Sequence, residues 1–238
     1  MSSITELMIK LRSLLGKAPF SDELIELKNK LDIVDLVYTN LNLEGSILTK
    51  AGVMNILEGN VINNVPIKEH LLIEIHNRLL ARMEDRIEMK YEVDIAVVED
   101  FYSIIISGNS VKYRSTSPEL YHLDFVPGDY SDIRSALSDE LKQVGRTDFD
   151  GNFCMKAAAY HNKIIKVYPF EEYNEILART IMQYELMRNG LFPIQLDVKE
   201  QEYNSIVSQS ISMNDNGPFA DIIINSAMEK VELLLEKA

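Results

Sequence analysis

The stretch YPFEEYNEILAR, residues 168–179, gathers side chains that could handle an anion or a metal. Glu172 offers a carboxylate, Asn174 an amide, and Arg179 a guanidinium on the face of the helix that should follow. A phosphate cradle, however, needs backbone N–H groups that converge on the anion, often at φ > 0, which glycine adopts cheaply. Tyr173 and Glu175 stand where such glycines would serve. Tyr173 would fill the space above the loop. Glu175 would place its own negative charge at a helix N-terminus, where the helix dipole welcomes an anion, and so compete with phosphate. A base is missing as well. A tyrosine at 168 titrates near 10, so only about one phenol in a thousand is ionised at neutrality. His161 lies seven residues earlier, roughly 10 Å along a helix, too far to substitute directly; it reads as a core residue. The plainer reading of the same letters makes Glu172 and Glu175 first-turn carboxylates and Asn174 a helix cap.

The elements that would position this loop are mostly helical. Ile4, Leu7, Met8, Leu11, Leu14 and Leu15 form one stripe that ends at Gly16. Ser21 caps a second helix, whose apolar residues recur every three or four positions as far as Leu43, with exit at Glu44-Gly45. Thr49 caps a short helix ending at Gly59, and Pro66 stands just inside the next. YEVDIAVVEDFYSIIISG has helical spacing, but its β-branched run keeps a strand in contention. From Gly108 to Gly128 the pattern turns to alternation with Pro and Gly, which reads as a hairpin or extended flap. Helices return at Ser131, over 152–167, over 174–189 before Gly190, through KEQEYNSIVSQSI, and from Phe219 to the end.

With 238 residues the chain can bury roughly 70% of its unfolded surface without staples. Its formal charge of −13 speaks against nucleic-acid binding, which needs a basic footprint. No run reaches the roughly 18 apolar residues of a membrane span. One cysteine, Cys154, cannot form an internal disulfide, so a reducing, cytoplasmic setting is expected. His70 and His76, six apart, do not share a helical face as a zinc pair would, and His122 has no ligand-spaced companions.

Several segments together resemble the Fic (Fido) family, whose members typically transfer AMP from ATP to a hydroxyl of a target protein. Residues 168–179 look like its motif, His-x-Phe-x-(Asp/Glu)-Gly-Asn-Gly-Arg-x-x-Arg, with Tyr168 at the histidine, Tyr173 and Glu175 at glycines, and Ile176 at the first arginine. Pro169, Phe170, Glu172, Asn174 and Arg179 match. YTNLNLEGSILT, residues 38–49, is similar to the inhibitory helix (Ser/Thr)-x-x-x-Glu-(Gly/Asn), with Asn40 at its first position and Glu44 as the inhibitory glutamate. YRSTSPELYHLDFVP is similar to the flap that pins a target segment, here Lys112, Tyr113, Arg114, Ser115 and Thr116.

The resemblance implies a mostly α, Fic/Fido-like helical domain over 66–238, with a small β-hairpin flap and an N-terminal helical extension over 1–65. It places Tyr168 at the base position, Glu172 at the magnesium position, Asn174 and Arg179 at phosphate contacts, and a bidentate Glu44–Arg179 ion pair between two helices. Mg-ATP is the implied cofactor if nucleotide binding survives. With base, cradle and one clamp replaced, the expected function is a binding or regulatory pseudoenzyme that meets a protein partner through the flap or a homodimer face. The alternatives are a transferase of AMP or a related group with non-standard active-site residues, and a helical binding module unrelated to nucleotides.

Overall fold

A computed structural model describes residues 3–108, 110–129 and 131–238. Among these residues the chain forms ten helices and no strand: α1 (Ile4–Leu15), α2 (Asp22–Leu43), α3 (Lys50–Leu57), α4 (Ile67–Glu88), α5 (Ile95–Ile105), α6 (Ile133–Arg146), α7 (Phe153–Val167), α8 (Asn174–Arg188), α9 (Glu200–Met213) and α10 (Gly217–Lys237). The starts follow local capping. Ser21, Thr49 and Asn152 accept the N–H groups of Leu24, Gly52 and Met155. At α5 the same device decides between helix and strand. Asp94 accepts from the Val97 N–H at 2.9 Å, and the β-branched run behind it is buried at Val97, Val98 and Ile105. Three boundaries shift by a residue or two. Pro66 is the cap rather than an interior residue, Asp132 caps α6, and α10 opens at Gly217.

α8 is the axis of the molecule. Residues 176–186 are all buried, and the helix packs most extensively on α7, with α2, α4 and α5 also against it. It is buried on every side although it carries Arg179, Thr180, Gln183 and Glu185, each of which finds a polar partner. α1 lies on α10 through Leu7, Leu11 and Leu14, and α2 lies on α4. One continuous core runs from Leu7 to Leu234. Within it, Lys230 on α10 is buried and bonds Asp32 at 2.7 Å, Asp35 at 3.0 Å and the Pro193 carbonyl at 2.5 Å. That cation fixes α2 to α10. No helix among the described residues is long and apolar enough to cross a membrane.

No strand pair of the expected flap hairpin occurs among the described residues. Asn109, inside that stretch, lies outside the described residues. The described remainder makes one antiparallel bridge, Tyr113 to Phe170, with the Arg114 N–H bonded to the Pro169 carbonyl at 2.9 Å. The reason is the Arg114 side chain. It is buried, and it donates to the carbonyls of Thr116 (2.9 Å), Gly128 (2.6 Å), Tyr168 (2.8 Å) and Val167 (3.4 Å). The carbonyls of Thr116 and Gly128, at the two ends of the flap, are thereby taken up by one guanidinium rather than by a returning strand.

Candidate functional site

The loop between α7 and α8 keeps a special backbone despite its side chains. Tyr168 ends α7 at φ 47, and Tyr173 precedes α8 at φ 63, both left-handed and uncommon for a ring-bearing residue. Asn174 holds the loop closed. It is fully buried, its Oδ1 accepts from the Phe170 N–H at 2.9 Å, and its Nδ2 donates to the Phe170 carbonyl at 2.8 Å. This corrects the reading of Asn174 as a helix cap, since Tyr173 holds that position and caps nothing with its side chain. Both polar ends of the amide are spent on the loop's own backbone. On the far side Phe170 stacks face to face on Tyr102, with centroids 3.7 Å apart.

Arg179, one turn into α8, is fully buried. Its Nε donates to Asn40 Oδ1 at 2.7 Å, its Nη2 to Glu44 Oε1 at 2.5 Å, and its Nη1 reaches the Tyr203 oxygen at 3.5 Å. The Glu44 pair therefore exists but is not bidentate. Asn40, one helical turn before Glu44, takes the second prong of the fork. Asn40 is buried and gives its own Nδ2 to the Leu36 carbonyl. Behind Arg179, the Tyr203 hydroxyl also meets His161 Nε2 at 2.6 Å, while His161 Nδ1 meets Asn162 Oδ1 at 2.9 Å. Burial drives the His161 pKa down to about 3, so the ring stays neutral. His161 is thus a core residue that orients Tyr203.

Glu175 occupies the mouth of this arrangement. Its Oε1 accepts from the Tyr168 hydroxyl at 2.8 Å and from His122 Nε2 at 2.9 Å. Burial opposes the charge on Glu175, yet the bonds from His122 and Tyr168 hold its pKa below the ordinary carboxylate value. Burial first, then the neighbouring Glu175 charge, pushes the Tyr168 phenol further above its usual range. His122 moves upward, chiefly through its bond to Glu175. Leu43, Glu44, His122, Tyr168, Glu175 and Arg179, with residues of α9, enclose a cavity of about 250 Å³. A polar groove of about 720 Å³ adjoins it along α9, sharing His122, Glu200 and Asn204, and it is lined by no lysine or arginine.

The chain matches the Fic/DOC family model over residues 66–186, half of its length. The chain belongs to the Fic/DOC family. Solved Fic structures share the fold across nearly the whole chain. A Fic domain containing signaling protein from Bacteroides thetaiotaomicron superposes with a TM-score of 0.81 at 20% identity, covering 99% of this chain and 96% of the other. Fic-1 from C. elegans gives 0.72 at 18% identity, covering 98% and 73%, and a Fic family protein from Desulfovibrio desulfuricans gives 0.73 at 14%, covering 100% and 76%. No curated protein matches the sequence.

On this Fic fold the motif positions separate into two groups. Tyr168 and Arg179 face the small cavity together with Glu44, whereas Glu172 lies on the opposite face of the loop, exposed, beside Tyr173 and Lys68. No cluster of three His, Cys, Asp or Glu side chains able to hold a metal occurs among the described residues. Of the flap residues, Arg114 is buried against the loop, the Ser115 N–H donates to Glu171 at 3.1 Å, and the Tyr113 hydroxyl donates to Glu99 at 2.7 Å. Lys112 and Thr116 remain exposed. Sequence reading missed Tyr203 and the role of His122. Each lies far along the chain from its partner, and neither carries a local signal.

Proposed function

We propose that this Fic-fold protein is a binding or regulatory pseudoenzyme rather than an AMP transferase. The observation that carries the reading is the Glu175 carboxylate, pinned by Tyr168 and His122 where a phosphate would have to sit. Arg179, the one guanidinium on that cavity, already donates to Asn40, Glu44 and Tyr203. A triphosphate entering there would meet the carboxylates of Glu44, Glu175 and Glu200 around the one guanidinium. Glu172, at the position for magnesium, lines a different cavity from Arg179 and Glu44. These residues do not fit Mg-ATP. General-base chemistry is equally poorly served, because the Tyr168 hydroxyl donates its proton to Glu175 and its pKa is raised by burial.

Titration calorimetry with magnesium and ATP tests this, together with incubation in labelled ATP. No heat at millimolar nucleotide and no label on the protein are expected. Micromolar binding, or label acquired at an enzymatic pace by the protein or an added target, would instead establish a transferase with unusual residues.

A further inference from the structure

A second cavity, about 740 Å³, opens between α4, the end of α5 and loop residues Glu171–Tyr173, and shares no lining residue with the cavity around Arg179. Its floor is apolar: Leu71, Leu72, Ile75, Ile105 and Ile106. Two rings complete it. Tyr102 presents a hydroxyl that makes no hydrogen bond among the described residues, and Tyr173 supplies a side wall with Lys68 Nζ 5.4 Å from its ring centre.

Tyr173 holds that wall at φ 63, a conformation that costs a tyrosine and that glycine takes freely. Strain retained at a cavity wall is a reason to look for a ligand there.

The rim is charged in both senses and unpaired. Lys68, Arg78 and Lys112 stand on it without a carboxylate within 4 Å, and Glu74 and Glu172 stand on it without a cation; Glu171 alone is engaged, by the Ser115 N–H. An apolar floor inside such a rim is complementary to a molecule carrying one charge of each sign around a large apolar side chain. A polyanion would gain from the cations and lose to the two free carboxylates. The volume lies in the range of small-ligand sites.

We propose that this cavity binds a short apolar zwitterion, an aromatic or branched amino acid or its dipeptide, with Tyr173 as the wall that shapes it. The proposal stands whether or not AMP transfer is lost, because the two cavities have separate linings.

Calorimetry of the full chain with the dipeptide Leu-Phe provides the test, alongside its N-acetyl and C-terminal amide forms. Binding of Leu-Phe is expected, with each blocked form weaker by about 3- to 5-fold, the scale of one exposed ion pair. Tyr173→Gly should weaken binding by about ten-fold or more while the melting temperature stays level or rises, since glycine relieves the backbone. Leu71→Glu, at a side chain already 55% exposed, should do the same without harming the fold. Absence of Leu-Phe binding at millimolar concentration overturns the proposal. So does equal affinity for the blocked forms, or full binding by Tyr173→Gly.

Discussion

At the scale of single residues, the Arg179 guanidinium decides what the Fic site can still do. A side chain buried without water needs every donor satisfied, and here the partners come from α2 and α9. Part of this was legible in the sequence. Glu44 and Arg179 stand at recognisable motif positions, and their pairing was expected. The single-pronged geometry was not, because Asn40 occupies a place where Ser or Thr was expected, and only the packed helices reveal that its amide reaches the fork. The pair is enclosed on one side alone, with the Arg179 side chain buried and that of Glu44 41% exposed. Glu44→Gly should therefore cost about 1–2 kcal/mol rather than the larger figure for a fully buried pair. In a chain of this size that lowers the melting temperature by roughly 2–8 °C. Differential scanning fluorimetry measures the shift. Labelled ATP tests the companion expectation that removing the glutamate releases no transfer.

At the scale of elements, helices were readable and the flap was not, for one physical reason. Helix starts depend on residues three apart, such as Ser21 with Leu24 or Asp94 with Val97. The flap depends on Arg114 meeting carbonyls fourteen and more than fifty residues away. The flap is also joined to α8 by His122 and Glu175, which makes that junction sensitive to pH. His122 has a folded pKa raised above 6.5, so its contribution is complete below that value and lost as pH rises through the raised one. Glu175 is lowered from 4.5, so its contribution is present above 4.5 and lost as pH falls through the lowered value. The junction is complete between pH 4.5 and pH 6.5. Glu44 and Glu200 add to the attraction on the imidazolium. Amide protection across residues 119–127, corrected for the intrinsic base-catalysed rate, should be greatest in that window and fall as pH rises through the His122 pKa. His122→Gln should remove that fall in protection.

At the scale of the whole molecule, the order of elements was open to inspection because hydrophobic period and capping are local, while the fastening between distant helices was hidden. Lys230 exemplifies this. Nothing near it in the sequence announces that it lies buried between Asp32 and Asp35, with Lys28 and Lys50 bonded to the same carboxylates from outside. α2 also carries Asn40 and is capped by Glu44, so this cluster holds the helix whose end meets Arg179. Lys230→Met should leave Asp32 and Asp35 paired only from the surface, by Lys28 and Lys50, and cost about 3 kcal/mol, the lower end for a broken buried pair. A fall in the urea midpoint with an unchanged slope would register it as lost stability of the native fold. An unchanged midpoint would mean the cluster does not hold α2 in place.

Because one guanidinium grips both Thr116 and Gly128, the chain between them behaves as an Ω-loop closed at its neck, with His122 on Glu175 and the Asp124 N–H on Ser208 as further ties along its length. Closure entropy grows slowly with length, so extra residues beside the exposed Tyr121 should leave the rest of the protein folded. Arg114→Lys, by contrast, would open the neck at both ends at once and leave the segment held through Glu175 and Ser208.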